Sequence, residues 1–181
     1  MTNWARTIWT EARQIGAILG WPPAPGDGVS PELFFRVLLD EGRSHDAALF
    51  LGQALPRYEA VLWAARTVAS CRPTANAAVM AAVTAWLRDP SDSHRRAAYA
   101  EADGTSEPTA AKLCALAVFM SGGSIALDGE RPLPAPKEAT GKFAAAAVLT
   151  ATADGNEPEV ALARALDDGE KLARGEPEGT R

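Results

Sequence analysis

His45 and His94 are the only two histidines of the chain. With Ser121, Ser124, Cys71 and Cys114 they are the side chains from which acid–base, nucleophilic or metal chemistry would have to be built. A histidine base needs a convergent partner, and each histidine instead follows a helix-start signal among polar neighbours, so both read as capping or surface residues. Ser121 and Ser124 flank Gly122-Gly123, but the elbow Gly-x-Ser-x-Gly is absent because Met120, and not a glycine-x pair, leads into Ser121. The four residues Ser121, Gly122, Gly123 and Ser124 read as the end of a helix with a left-handed glycine. Gly26-Asp27-Gly28 lacks the third glycine of a dinucleotide loop, and Gly141-Lys142 is followed by Phe143 and not by Ser or Thr, so both read as loop punctuation. His45, Cys71, His94 and Cys114 are scattered over different segments, which predicts no metal site and no cofactor.

Charge and aromatic residues point elsewhere. The acids Asp154, Glu157, Glu159, Asp167, Asp168, Glu170, Glu176 and Glu178 read as a solvated helix face and tail. Arg88, Arg95 and Arg96 read as a helix end and surface, with docking of an acidic partner as the alternative. Among the five tryptophans, Trp63 and Trp86 lie in alanine-rich runs and are expected in the core. Trp9, off the main stripe of the first helix, and Trp21, beside Pro22-Pro23, are candidates for an interaction surface.

The composition suits one globular domain. The 181 residues are 47% hydrophobic and 23% charged, and 18 basic against 23 acidic side chains leave a net charge of -5. That sign disfavours nucleic acid and anionic membranes as partners. Two cysteines inside apolar runs suit free thiols in a reducing cytoplasm better than a disulfide framework. The N-terminal stretch is interrupted by Glu11 and Arg13 and lacks the apolar core of a signal peptide. The uncharged runs 73–87, 113–127 and 143–153 are each shorter than the roughly 18 to 20 residues of a spanning helix, so no membrane insertion is expected.

Helical spacing organises these residues. Trp4, Ile8, Ala12, Ile15 and Leu19 form a stripe that predicts a first helix over 4–19, ended by the Gly20 to Gly28 loop. Ser30-Pro31-Glu32 starts a second helix, Ser44 a third through Leu51, and Pro56 a fourth to Cys71 that reads as central. Thr74 precedes a helix over 75–87, Arg88-Asp89-Pro90-Ser91 recaps one through Glu101, and Ser106-Pro108 opens the run into the Ser-Gly-Gly-Ser break. A proline-rich connector leads to a helix over 143–153, and Asn156-Glu157-Pro158-Glu159 offers a capping box for a last helix to Ala173. No run alternates as a strand would. The expectation is an all-α, single-domain bundle of about eight or nine Ala-rich helices over 1–175, with a polar tail over 176–181.

Several of these positions taken together carry a resemblance: Leu55-Pro56-Arg57-x-Glu59-Ala60-Val61-x-Trp63-Ala64, Trp86-Leu87-Arg88-Asp89-Pro90, Arg95-Arg96-Ala97-Ala98, Phe119-x-Ser121-Gly122-Gly123-Ser124, and the closing Leu172-Ala173-Arg174-Gly175. Over 55–175 the chain resembles an uncharacterised family of small helical bacterial proteins often encoded among type VI secretion genes, departing from it at Leu62 and Met120, where a second aromatic tends to stand. The resemblance implies context and no catalytic residues. The expectation is therefore a non-enzymatic cytoplasmic interaction protein with a protein partner, an accessory or adaptor of effector secretion that uses the Trp21 loop and the 121–136 segment. The alternatives are a small-molecule-binding or hydrolytic helical enzyme around Ser121 or the histidines, and an immunity protein acting through its acidic C-terminal surface.

Overall fold

Alanine decides where the helices meet. The computed structural model describes residues 4–72, 76–126, 129–153 and 155–176. Among them are nine helices: α1 Ala12–Leu19, α2 Pro31–Asp40, α3 Ser44–Ala54, α4 Arg57–Cys71, α5 Ala77–Arg88, α6 Asp92–Asp103, α7 Ala110–Phe119, α8 Ala139–Ala153 and α9 Pro158–Arg174. The α8 helix carries apolar residues around most of its circumference, with Lys142 on its exposed side, as a helix does when largely enclosed by others. It packs against α3, α4, α7 and α9, with Ala144, Ala145, Ala147, Val148 and Ala151 buried. The expected centre, α4, lies beside it and also meets α5, α7 and α9. The result is a single-domain, all-α fold; among the described residues the one β-type pairing is an isolated bridge between Ser124 and Pro134.

Two close approaches fix this packing. A Cβ on Gly52 of α3 would stand 2.6 Å from the carbonyl oxygen of Gly141 in α8, so these axes can cross only where both residues lack side chains. On the other side of the core Trp63 donates its indole N–H to the Ala165 carbonyl at 2.7 Å. Gly169, one turn further along α9, leaves room for that ring. Trp63 and Trp86 are core residues as the sequence implies.

The N-terminal expectation is corrected. Residues 4–11 are not helical, and α1 begins only at Ala12. Gln14 reaches back to accept the N–H groups of Thr10 and Glu11 at 2.9 and 3.0 Å, while the Ala12 and Arg13 N–H groups donate to the Val29 and Asp27 carbonyls. This cap outcompetes propagation of the helix towards Trp4. The stripe consequently splits: Trp4 is 2% exposed against Phe35, whereas Ile8 is 79% exposed. Arg6 pins the extended segment, donating its backbone N–H to the Ala173 carbonyl at 2.9 Å and its guanidinium to Glu59 at 2.8 Å.

Other boundaries move for local reasons. Ser30 caps α2 as expected. The α7 cap is Thr109, not Ser106, with its hydroxyl accepting the Lys112 N–H at 3.2 Å. The capping box before α9 does not form, because Glu157 occupies the cap without a side-chain hydrogen bond. Gly141-Lys142 lies inside α8 and is not a loop. Thr74 and Ala75, expected to open α5, and the acids Asp154 and Glu178 lie outside the described residues, as does the tail beyond Glu176.

Candidate functional site

The helix-ending reading of Ser121 to Ser124 is met by an arginine clamp. Ser91 caps α6, and Arg95, Ala98 and Ala102 follow on its buried face. Arg95 is 3% exposed, which corrects its expected surface position. Its Nη1 donates to the Phe119 carbonyl at 2.6 Å and its Nη2 to the Ser124 carbonyl at 2.8 Å. Asp92 neutralises it, accepting Nε and Nη2 on one oxygen at 2.9 and 2.7 Å. The guanidinium carbon also lies 4.8 Å from the centre of the Phe119 ring, which stacks on Tyr99.

The segment 121–136 between α7 and α8 forms a strap, and its first described stretch, 121–126, is held as firmly. Arg96 reaches the Ala126 and Ser124 carbonyls at 3.2 and 3.3 Å, Arg57 the Ser121 carbonyl at 3.0 Å, and Thr140 the Met120 carbonyl at 2.8 Å. The Ser124 hydroxyl accepts the N–H groups of Ala126 and Leu133 at 3.1 and 3.0 Å. Gly123 turns the chain at φ 63°, in the left-handed region, whereas Gly122 needs no such conformation and faces open space. Hydrogen bonds from Arg95 hold the Asp92 carboxyl below its usual range, aided by those from Arg96 and opposed by partial burial.

Neither histidine joins a catalytic set. The Nδ1 atom of His94 lies 3.0 Å from the Ser91 hydroxyl, 3.0 Å from the Asp89 carbonyl and 3.2 Å from the Asp89 carboxylate. Serine, histidine and aspartate are thus together, but all on one ring nitrogen at a helix cap. A relay needs the acid on one nitrogen and the hydroxyl on the other. His45 lines a cavity of about 530 Å³ with Ser44, Thr152 and Glu159. There the Thr152 hydroxyl already donates to the Val148 carbonyl at 3.0 Å. Burial pushes the Cys114 thiol up to about 12, which leaves it inert, and both cysteines are free. No group of three or more potential metal ligands occurs among the described residues. Nor, among them, is any helix long and apolar enough to cross a membrane.

What the tryptophans line is more informative. Trp9 is half-buried on the extended N-terminal segment and donates its indole N–H to the Gln53 carbonyl at 2.9 Å. The Gln53 amide in turn donates to the Glu138 carbonyl at 2.9 Å. Between these elements opens a groove of about 740 Å³, within the size range of ligand sites. Ile8, Trp9, Ile18, Leu55 and Pro56 give it apolar walls, Gly52 and Gly141 form part of its floor, and Arg57, Lys137 and Glu138 bring charge to it. Trp21 borders a second hollow of about 810 Å³ with Phe34 and Pro22. Its ring stacks on Phe50 at 6.3 Å. The charges there are consumed locally: Arg43 pairs with Asp46 at 2.9 Å, Arg13 pairs with Glu11, and Asp27 accepts the Ala24 N–H at 3.0 Å.

Sequence reasoning singled out Trp9 but missed the groove, because its lining comes from separate parts of the chain. It also missed Asp92, Arg95, Gln53 and the two crossing glycines. Signals existed for some: Arg95 shares a helical stripe with Ala98 and Ala102, and a glycine inside an apolar helical run marks a close contact. The acidic C-terminal face is partly neutralised, since Asp167 pairs with Lys171 at 2.5 Å and Glu170 with Arg174 at 2.6 Å.

Comparison with curated proteins finds no match, and neither does comparison with solved structures. A family model does match, from Phe34 in α2 to Ala173 at the end of α9. The matched span takes in the clamp, the strap, the α3–α8 crossing and most of the groove; on that span the chain belongs to the family of unknown function DUF6931.

Proposed function

We propose that this protein is a non-enzymatic, cytoplasmic protein-interaction module, an accessory or adaptor of bacterial type VI secretion. The observation that carries the interaction reading is the groove beside Trp9. It is an open apolar depression of about 740 Å³ with Ile8 in its wall, 79% exposed on a pinned segment. Apolar surface held in this way is what a partner covers. The secretion context rests on the sequence resemblance over 55–175.

The groove, and not the strap, is the surface offered to the partner. The carbonyls of Phe119, Met120, Ser121, Ser124 and Ala126 already accept hydrogen bonds from within the fold, so the turn after α7 has less backbone to present than its glycines suggest. The test is affinity capture with the intact chain from its native host at physiological salt, with Trp9→Ala as the control bait. A secretion component retained by the wild type and lost from the variant is the expected result. If no protein is retained and the purified chain turns over a small molecule, the reading fails.

A further inference from the structure

The groove's own polar groups describe what would fill it. Its side-chain donors are already engaged: Trp9 donates to the Gln53 carbonyl, the Gln53 amide to the Glu138 carbonyl, and the Thr140 hydroxyl to the Met120 carbonyl. A ligand that needs donors from these side chains would find them in use and would lose affinity for it. The charged side chains differ. Arg57 uses one guanidinium donor on the Ser121 carbonyl, which fixes its position, and meets no other partner among the described residues. Lys137 is exposed and makes no ion pair or hydrogen bond among the described residues. Against these two cations stands one carboxylate, Glu138, in a chain whose net charge is -5. The balance of charge is locally reversed. In the Trp21 hollow, by contrast, arginines and acids satisfy one another.

We infer that the groove takes an acidic, apolar-anchored segment of a partner protein: apolar side chains enter beside Trp9 and Leu55, and carboxylates meet Arg57 and Lys137. The inference rests on the interaction reading above and names the chemistry of the partner. A peptide fits better than a small amphiphile because Ile8, part of the groove wall, is still 79% exposed, so the apolar surface reaches up to the rim. A compact ligand on the floor leaves most of Ile8 in water; a chain crossing the rim covers it. Glu138 then acts as the selective element, repelling a carboxylate placed on its side of the groove.

The probe is a library of short random peptides displayed on phage and selected on the full chain, with counter-selection on Lys137→Glu. The enriched sequences are expected to combine Leu, Ile, Phe or Trp with Asp or Glu. A synthetic peptide from that pool should bind about tenfold more weakly to Arg57→Glu and to Lys137→Glu, and more tightly to Glu138→Lys. Its affinity should fall as salt rises. Among the described residues Lys137 and the Glu138 side chain hold no partner, so these two variants should melt with the wild type and keep the test interpretable if Arg57→Glu misfolds. Enrichment of basic or uncharged peptides, or affinities unmoved by the charge reversals, would overturn the inference. So would a groove that binds dodecanoate while no peptide is enriched. The interaction reading survives each of those results if affinity capture still retains a partner, and it fails separately if capture retains none and the purified chain turns over a small molecule.

Discussion

The strap and the groove share two residues and use them in opposite senses. Arg57 donates to the Ser121 carbonyl and also lines the groove; Thr140 does the same through the Met120 carbonyl. In the strap the carbonyls beside these residues are taken by side chains of the fold, and the left-handed Gly123 is hemmed in by Asp92 and Arg95. In the groove the donors of Trp9, Gln53 and Thr140 are engaged but Lys137 and Glu138 are left over among the described residues, and the glycines serve helix contact in place of chain reversal. A conspicuous motif can be engaged largely by architecture. A groove can form where no motif exists.

The sharpest way to break this contrast is at the groove floor. With Gly52→Ala the new methyl would stand 2.6 Å from the Gly141 carbonyl oxygen and 3.1 Å from the Ala145 Cβ, and backbone cannot yield as a flexible side chain does. The expected loss exceeds about 3 kcal/mol, which for a chain of this size lowers the melting temperature by roughly 6–12 °C. A calorimetric melt within a degree or two of the wild type would show that the α3–α8 crossing is not the fixed frame assumed for the groove.

Next comes the clamp. Arg95→Met keeps the length of the buried stem but leaves the Phe119 and Ser124 carbonyls without that donor and Asp92 with one fewer partner. About 2–4 kcal/mol should be lost in denaturant unfolding. Because Arg57, Arg96 and Thr140 still hold neighbouring carbonyls, the strap should loosen first around 119 and 124. Amide exchange in that segment would show it.

The paired glycines give a finer comparison within the strap. A valine at Gly123 must adopt φ 63° with its Cβ 2.9 Å from Asp92 and 3.0 Å from the Arg95 guanidinium, costing about 1–2 kcal/mol or more. At Gly122 a Cβ meets nothing within 4 Å and no positive φ is required, so valine there should change stability by less than about 0.5 kcal/mol. Equal melting temperatures for Gly122→Val and Gly123→Val would contradict the assignment of the turn to Gly123.

These cases also mark what the sequence could convey. Local rules worked where the physics is local: Ser30 and Ser91 cap helices, Gly20 ends α1 at φ 74°, and alanine density forecast close packing. They failed where a distant group decides. Trp4 to Glu11 shows helical spacing but is held extended by Gln14 and by the 27–29 loop, and periodicity alone cannot see a competing cap. Arg95 read as surface because charge is normally solvated; its burial depends on carbonyls 24 and 29 residues away. The groove was invisible for the same reason, since Ile8, Gln53 and Lys137 become neighbours only after the helices pack.

Acid should weaken the strap and spare the groove floor. Asp92 has its folded pKa lowered below 3.8, so the stability it contributes is fully present above that value and is lost as pH falls through the lower folded value. Wild type should therefore exceed Asp92→Asn in melting temperature near neutral pH by a small margin, since the carboxylate is largely solvent-exposed. The gap should close below about pH 4. A gap that stays constant with pH would mean that the asparagine effect is steric and not a matter of the ion pair.

The smallest expected effect bears most directly on the contrast. Lys137 stands at the groove with no partner among the described residues, so Lys137→Glu should leave the melting temperature within about 0.5 kcal/mol equivalents of the wild type. The same reversal at Arg57 removes a bond to the Ser121 carbonyl and should cost stability as well as binding. A fold-neutral change at Lys137 that still alters peptide affinity separates the two roles that Arg57 combines. If Lys137→Glu destabilises the chain as much as a change in the clamp does, its charge belongs to the architecture after all, and the groove is no freer for a partner than the strap.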